Sequence, residues 1–274
     1  MTHVPSITLA DGTAIPQIGF GTWQVRDEDV TPAVLDALEV GYRHIDTAQV
    51  YRNEAGVGRA LASAGLPRDE VFVTTKLWND CHPKADARAA FESSLEKLGL
   101  DHVDLYLIHW PATLTYGDSY IEAWEALQEF KAEGLARSIG VSNFHVAHLD
   151  AISGEVPAVN QIEVHPTFAQ VPLRAELARR GIAVESYSPL GSGADLGDPD
   201  LAAIAGDLGR SVAQVIIRWH LQHGFVVLPK SVTPARIAEN FDVFGFELDA
   251  DAMARLDALD AGNRVGADPD TATF

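Results

Sequence analysis

Eight times along the chain a short apolar stretch gives way to a longer segment whose apolar residues fall at helical spacing. The stretches occupy positions 17–21, 43–46, 71–76, 103–109, 137–142, 158–163, 182–188 and 225–230. Runs such as Val71-Phe-Val-Thr-Thr and Val103-Asp-Leu-Tyr-Leu-Ile are rich in β-branched and aromatic side chains, as strands buried on both faces are. Between the runs, Phe91, Leu95 and Leu98 keep helical spacing, and so do Tyr120, Trp124 and Leu127 ahead of a stop at Gly134. Alternation of this kind requires parallel strands joined by crossover helices. Eight units with no composition break, no Ser/Gly linker and no low-complexity segment favour an α/β architecture closed into a (β/α)8 TIM barrel. An open doubly wound sheet would carry a Gly-x-Gly-x-x-Gly turn after its first strand. The nearest match, Gly56-Val-Gly58-Arg-Ala-Leu61, lacks the third glycine and falls within a helical segment. Residues 1–274 are therefore expected to form one barrel domain, preceded by a short β-hairpin that turns at Asp11-Gly12.

The formal charge of −19 opposes general attraction to nucleic-acid phosphates and to anionic lipid, so neither is expected as a partner. A phosphorylated ligand would need local cations. One cysteine, Cys81, leaves no intramolecular disulfide and no sign of an oxidising compartment. No apolar run reaches membrane-spanning length, and Met1-Thr-His-Val-Pro5 does not read as a secretory leader, so a cytoplasmic location is expected.

Chemistry in such a barrel sits at the carboxyl ends of the strands. Here those ends carry Asp46, Lys76, His109, Ser142 with Asn143, Gln161 with Glu163, Tyr187 with Ser188, and Lys230 with Ser231, while Tyr51 lies just past Asp46. Any one of them is consistent with a solvent-facing strand end or, for His109, a hydrogen-bonded core histidine. A lysine, an aspartate, a tyrosine and a histidine brought to one rim are costly to desolvate together without a use. Trp23, Trp78 and Trp110 follow strands one, three and four and should wall an apolar pocket, whereas Trp124 reads as core. The local cations appear after strand eight: Lys230, then Arg236 in a helix opened by Thr233-Pro234, whose amino terminus favours phosphate. A surface ion pair between Arg236 and Glu239 is the plainer alternative. The pairs His145/His148 and His220/His223 have helical spacing but no third ligand in view, so solvated helix faces and no metal are expected. The absence of a Gly-x-Ser-x-Gly turn weakens a hydrolase reading.

Three long segments resemble the signatures of the aldo-keto reductases: Gly41-Tyr-Arg-His-Ile-Asp46-Thr-Ala-Gln-Val-Tyr51-Arg-Asn53-Glu54, Leu98-Gly-Leu-Asp-His-Val-Asp-Leu-Tyr-Leu-Ile-His109-Trp-Pro111, and Leu228-Pro-Lys230-Ser231-Val-Thr-Pro-Ala-Arg236-Ile-Ala-Glu239-Asn240. The chain is most similar to the bacterial 2,5-diketo-D-gluconate reductase branch, and the likeness extends from Gly19-Phe-Gly21-Thr-Trp23 to Asn240. The resemblance implies a catalytic tetrad of Tyr51, Asp46, Lys76 and His109. In it a phenol, ordinarily titrating near about 10, would donate a proton to a carbonyl oxygen, its pKa depressed by Lys76, which Asp46 orients. It also implies NADPH as cofactor. Ser142, Asn143 and Gln161 would hold the carboxamide, Tyr187 the nicotinamide ring, and Ser188, Leu190 and Gly191 the pyrophosphate. Lys230, Ser231, Val232, Thr233 and Arg236 would surround the 2′-phosphate, with Glu239 and Asn240 at the adenine. The short loop 112–119 and tail 261–274 suggest an open pocket for small aldehydes, dicarbonyls or keto sugars. Oxidation of alcohols with NADP uses the same residues in reverse, and a non-catalytic, cofactor-sensing subunit is the reading from another class. A monomer is expected.

Overall fold

The structure, a computed structural model, describes residues 4–274, so the leader reading at Met1 to His3 lies outside the described residues. A two-stranded antiparallel hairpin comes first, β1 (Ser6–Thr8) and β2 (Ala14–Pro16), and Gly12 turns it at a φ of 88°. Eight parallel strands follow in sequential order: β3 (Phe20–Gly21), β4 (His44–Asp46), β5 (Phe72–Leu77), β6 (Val103–Ile108), β7 (Ala136–Ser142), β8 (Val159–Glu163), β9 (Ala183–Tyr187) and β10 (Val226–Val227). A parallel bridge from Ile18 to Val227 closes the sheet on itself, supported by Gly19 N donating to Val227 O at 2.9 Å and Gly21 N to Pro229 O at 3.1 Å. The expected TIM barrel with an amino-terminal hairpin is thus the observed fold. All eight expected strands are present, but the first and last are shorter in regular ladder than the apolar runs that announce them. Pro229 has no N–H, so the last strand can continue only as an acceptor.

The helices pack outside the strands: α1 (Asp27–Val40), α2 (Glu54–Ser63), α3 (Lys84–Leu98), α4 (Thr113–Tyr116), α5 (Ser119–Ala132), α6 (Val146–Ala151), α7 (Val171–Arg180), α8 (Pro199–Leu208), α9 (Val212–Gln222), α10 (Pro234–Phe241) and α11 (Ala250–Asp257). Helix α3 shows why: Ala87, Ala90, Phe91, Ser94, Leu95 and Leu98 share one buried face, and Gly99 ends it in the left-handed region. Trp124 of α5 is fully buried, as its spacing requires. No helix among the described residues is long and apolar enough to cross a membrane.

The period of two along each strand decides what fills the barrel. One alternation sends Ile45, Val73, Tyr106, Ile139, Ile162 and Val184 outward to the helices. The other lines the interior in layers. At the amino-terminal end, Leu9 and Ile15 of the hairpin region pack on Phe72, Leu105, Leu107, Val159 and Val226. Above them the same alternation reaches His44, Thr74 and Glu185, then Asp46, Lys76 and Gln161, all buried. Gly140 makes room for this packing, because a Cβ there would stand 2.6 Å from Val159 O and 2.8 Å from Leu107 Cδ2.

The histidine pairs are not solvated helix faces. His148 is buried against Tyr120 and Phe144, and His220 is wholly buried beside Trp219, because each helix turns that position inward. The tail also brings acids to the first pair: His145 Nδ1 lies 3.0 Å from Asp270, and Asp268 stands close enough to complete a three-ligand group. Arg264 pairs with Asp268 at 3.6 Å, so that acid already has a cationic partner.

Candidate active site

Tyr51 ends a turn of 3-10 helix, Gln49–Tyr51, immediately after β4. Asn53 anchors that turn from below. Its Nδ2 donates to Thr22 O at 2.9 Å and to Val25 O at 2.8 Å, while its Oδ1 accepts from Thr47 Oγ1 at 2.9 Å. Gln49 Oε1 accepts from Trp78 N at 3.0 Å, which ties the same turn to the end of β5. The position of the phenol is therefore set by neighbouring strands on both sides.

Lys76, fully buried, donates to Asp46 Oδ1 at 2.7 Å, Asp46 Oδ2 at 2.8 Å and Thr47 O at 2.9 Å. The Tyr51 hydroxyl lies 3.5 Å from Lys76 Nζ, at the outer limit of a hydrogen bond. An ammonium has three N–H bonds, and the three shorter contacts occupy them. This alters one expectation. Burial, followed by the Asp46 carboxylate and by Glu185 once that acid is ionised, pushes the Tyr51 phenol well above its usual range instead of Lys76 depressing it. The cation is already matched by its bidentate carboxylate, so its field does not overcome the burial of the phenol. Tyr51 is consequently a firmly protonated donor.

His109 completes the group, its ring edge-on to Tyr51 at 5.6 Å and to Trp78 at 5.2 Å. Burial, then Lys76, holds its pKa well below the usual histidine value, so the imidazole is neutral and has one N–H to give. His109 Nδ1 is buried without a partner among the described residues.

Beside this rim the side chains of Tyr187, Asn143 and Ser142 form one chain of hydrogen bonds that ends on the backbone carbonyl of Gln161. Tyr187 Oη donates to Asn143 Oδ1 at 2.7 Å, Asn143 Nδ2 donates to His109 O and Ser142 Oγ at 3.0 Å each, and Ser142 Oγ donates to Gln161 O at 2.8 Å. Gln161 Nε2 donates downward to Asp46 Oδ2 at 2.9 Å and Glu185 Oε2 at 2.8 Å. The N–H groups of both amides are spent inside the protein, and what they can still offer is acceptor oxygens. Those complement the NH2 of a primary amide. Ser188 and Asn143 both take left-handed backbone angles, φ 47° and 63°. Gly191, at φ 57°, leaves no room for a Cβ, which would stand 2.8 Å from Asp195 Oδ1.

Further round the rim, Lys230, Val232, Thr233, Arg236 and Glu239 are exposed, and Ser231 and Asn240 are buried. Ser231 Oγ accepts from Thr233 N at 3.0 Å, and no side chain caps α10. Among the described residues no ion pair joins Arg236 to Glu239, so the plainer account of that arginine is not realised. Two unpaired cations beside an uncapped helix start suit a phosphate, and the donor and acceptor set along the rim fits a phosphorylated dinucleotide that carries a carboxamide.

Trp78 and Trp110 are half-buried at the pocket and Trp23 stands at the rim, 49% exposed. The tail does not leave this pocket open. Phe274 stacks on Trp78 at 5.9 Å with 17° between planes and meets Trp110 edge-on at 5.0 Å, while its carbonyl accepts from Asn79 Nδ2 at 3.1 Å. Aromatic contact holds this part of the tail against the two indoles. Glu163, at the end of β8, serves the tail and not the rim: it accepts from Val265 N at 2.6 Å and Gly266 N at 2.8 Å. Two residues here, Phe274 and Glu185, do not announce themselves in the sequence. The first carries no motif, and the second is an acid inside an apolar strand whose only signal is its place two residues before Tyr187.

The sequence profile of the Aldo/keto reductase family matches residues 17–261. An aldo-keto reductase of Mycolicibacterium smegmatis is 50% identical, with 98% of each chain covered. Methylglyoxal reductase DkgA of Escherichia coli is 49% identical over 98% of each chain. Among solved structures, a Gox0644 mutant in complex with NADPH superposes with a TM-score of 0.95 at 46% identity, covering all of both chains.

Proposed function

The chain belongs to the aldo/keto reductase family, and on that premise we propose that it is a single-domain, monomeric reductase that uses NADPH to convert small dicarbonyls, other aldehydes and keto sugars to alcohols. The observation that carries this reading is the Tyr51 hydroxyl 3.5 Å from Lys76 Nζ and beside the His109 ring. Bound NADPH supplies the hydride that goes to the carbonyl carbon. Every other part of the reaction falls to side chains. As negative charge grows on the carbonyl oxygen, Tyr51 gives it a proton, and His109, through its one N–H, orients that oxygen. Lys76 is within reach of the phenol oxygen and offsets the charge left there, while Asp46 keeps the ammonium aimed. Ser142, Asn143, Gln161 and Tyr187 would hold the nicotinamide end, Ser188, Leu190 and Gly191 the pyrophosphate, and Glu239 and Asn240 the adenine. Lys230, Ser231, Val232, Thr233 and Arg236 would hold the 2′-phosphate. The likeness to a methylglyoxal reductase supports dicarbonyl substrates, as does a pocket narrowed by Trp78, Trp110 and Phe274.

Tyr51→Phe tests this directly. With methylglyoxal and NADPH, turnover should fall by about 10³-fold, within the usual range for loss of a general acid. Quenching of tryptophan fluorescence by NADPH should persist. Turnover close to that of the parent protein would remove Tyr51 from the donor role.

A further inference from the structure

Beneath the rim lies a carboxyl group that this reaction does not use. Glu185 is on β9, in register with Gln161 of β8, and it is fully buried. Gln161 Nε2 donates at once to Asp46 Oδ2 at 2.9 Å and to Glu185 Oε2 at 2.8 Å, so one amide joins the carboxylate that grips Lys76 to a second acid behind it. Glu185 Oε1 has no hydrogen-bond partner among the described residues. His44 Nε2 stands 3.6 Å from it and is occupied with Thr74 Oγ1 at 3.0 Å. The groups facing Glu185 are thus Asp46 and His44 from β4, Lys76 from β5 and Gln161 from β8, while its partner on β10 is the apolar Val226. One ammonium at this depth cannot balance two carboxylates, and the unmatched anion would have no water to stabilise it.

Building on the reading of Tyr51 as donor, we propose that Glu185 is a positioning residue that works as a neutral acid, holding Gln161 and Asp46 in place, and that loss of its proton switches off donation by Tyr51. The physical reason is charge. An ionised Glu185 adds a second negative charge behind the Lys76–Asp46 pair, draws on the same ammonium and makes the phenol harder to deprotonate. Titration behaviour agrees with the geometry. Burial first, then repulsion from Asp46, raises Glu185 to about 8. Burial and the neighbouring Lys76 hold His44 at about 3, so that imidazole stays neutral and supplies no compensating charge.

Two measurements on the full chain test this. The first needs neither cofactor nor substrate: in protein labelled with ¹³C at glutamate carboxyls, the resonance missing from Glu185→Gln should titrate near pH 8. Titration in the ordinary carboxylate range overturns the inference and leaves the Tyr51 assignment untouched. The second is the pH profile of kcat with methylglyoxal and NADPH. The parent should lose about tenfold per pH unit above the Glu185 titration, as a single ionisation demands, while Glu185→Gln, which copies the neutral acid, should keep its plateau to higher pH. Coincident profiles overturn the inference. Glu185→Met, similar in volume but unable to hold Gln161, should keep the plateau at a lower kcat throughout. Full turnover by Tyr51→Phe would sink the donor assignment while the carboxyl titration stands.

Discussion

Lys76 reaches the barrel interior with each of its N–H bonds spent, two on Asp46 and one on the Thr47 carbonyl. A charge held that deep depends on its partner, and removing one member is far worse than removing both. Lys76→Met should therefore abolish turnover and lower stability by about 3–5 kcal/mol, the usual loss on breaking a buried pair. Lys76→Met combined with Asp46→Leu should recover much of that stability and remain inactive. Urea unfolding of the three proteins checks the ordering, and a double variant weaker than Lys76→Met would contradict it. At this scale the sequence was informative where a polar residue ends an apolar strand, which is how Asp46, Lys76 and His109 stand out. It was silent on Glu185, whose meaning depends on Gln161 and Asp46, far away in the chain but adjacent in the sheet. The influence of Lys76 on the phenol was likewise a matter of geometry, because the carboxylate reaches the ammonium first.

Among elements, the least expected connection runs through His165, just past β8. Its Nδ1 meets Asp195 Oδ2 at 2.9 Å and its Nε2 meets Glu163 Oε1 at 3.2 Å. Glu163 holds the tail through two backbone amides, and Asp195 belongs to the short helical turn Asp195–Gly197 after Gly191. One imidazole therefore fastens the tail that narrows the pocket to the loop assigned to the pyrophosphate. Burial alone would lower His165, but the hydrogen bonds to Asp195 and Glu163 outweigh it and raise the group to about 9. Against burial that would raise them, Glu163 and Asp195 are pulled below their usual values, chiefly by hydrogen bonding to His165. A raised histidine contributes its full stability below its unfolded value of about 6.5 and loses it as pH rises through about 9. The depressed carboxylates contribute above about 4.5 and lose that as pH falls through their folded values. The difference in Tm between the parent and His165→Gln should thus be several degrees between roughly pH 5 and 6.5 and should shrink at either extreme. A difference independent of pH in thermal scans would show that the clamp is uncharged. None of these three residues carries a motif for this role, since the link exists only once a strand end, a loop and the tail converge.

Over the whole molecule, a formal charge of −19 surrounds a site that must accept an anionic cofactor, and Lys230 with Arg236 supplies a local exception. Arg236→Ala should weaken NADPH binding by about tenfold or more, the scale of one charge-assisted contact, and should leave NADH nearly unchanged. The loss should diminish at high salt, where exposed charges are screened, and equal losses for both cofactors in fluorescence titrations would remove the 2′-phosphate assignment. The plan of the barrel was legible throughout, because a period of two along strands and of 3.6 along helices is written locally and repeated eight times. Asp46, His109, Ser142 and Tyr187 were legible as rim positions because each ends its strand or follows it directly. By itself the chain determined the alternation, the closure into a barrel and the end of it that carries polar groups. Only the folded molecule decided which of those groups stand within hydrogen-bond reach of one another, which acid stays buried beneath the ammonium, and that Phe274 covers the pocket. Those outcomes depend on distances between segments far apart in the chain and on the loss of water around them, and no local pattern encodes either.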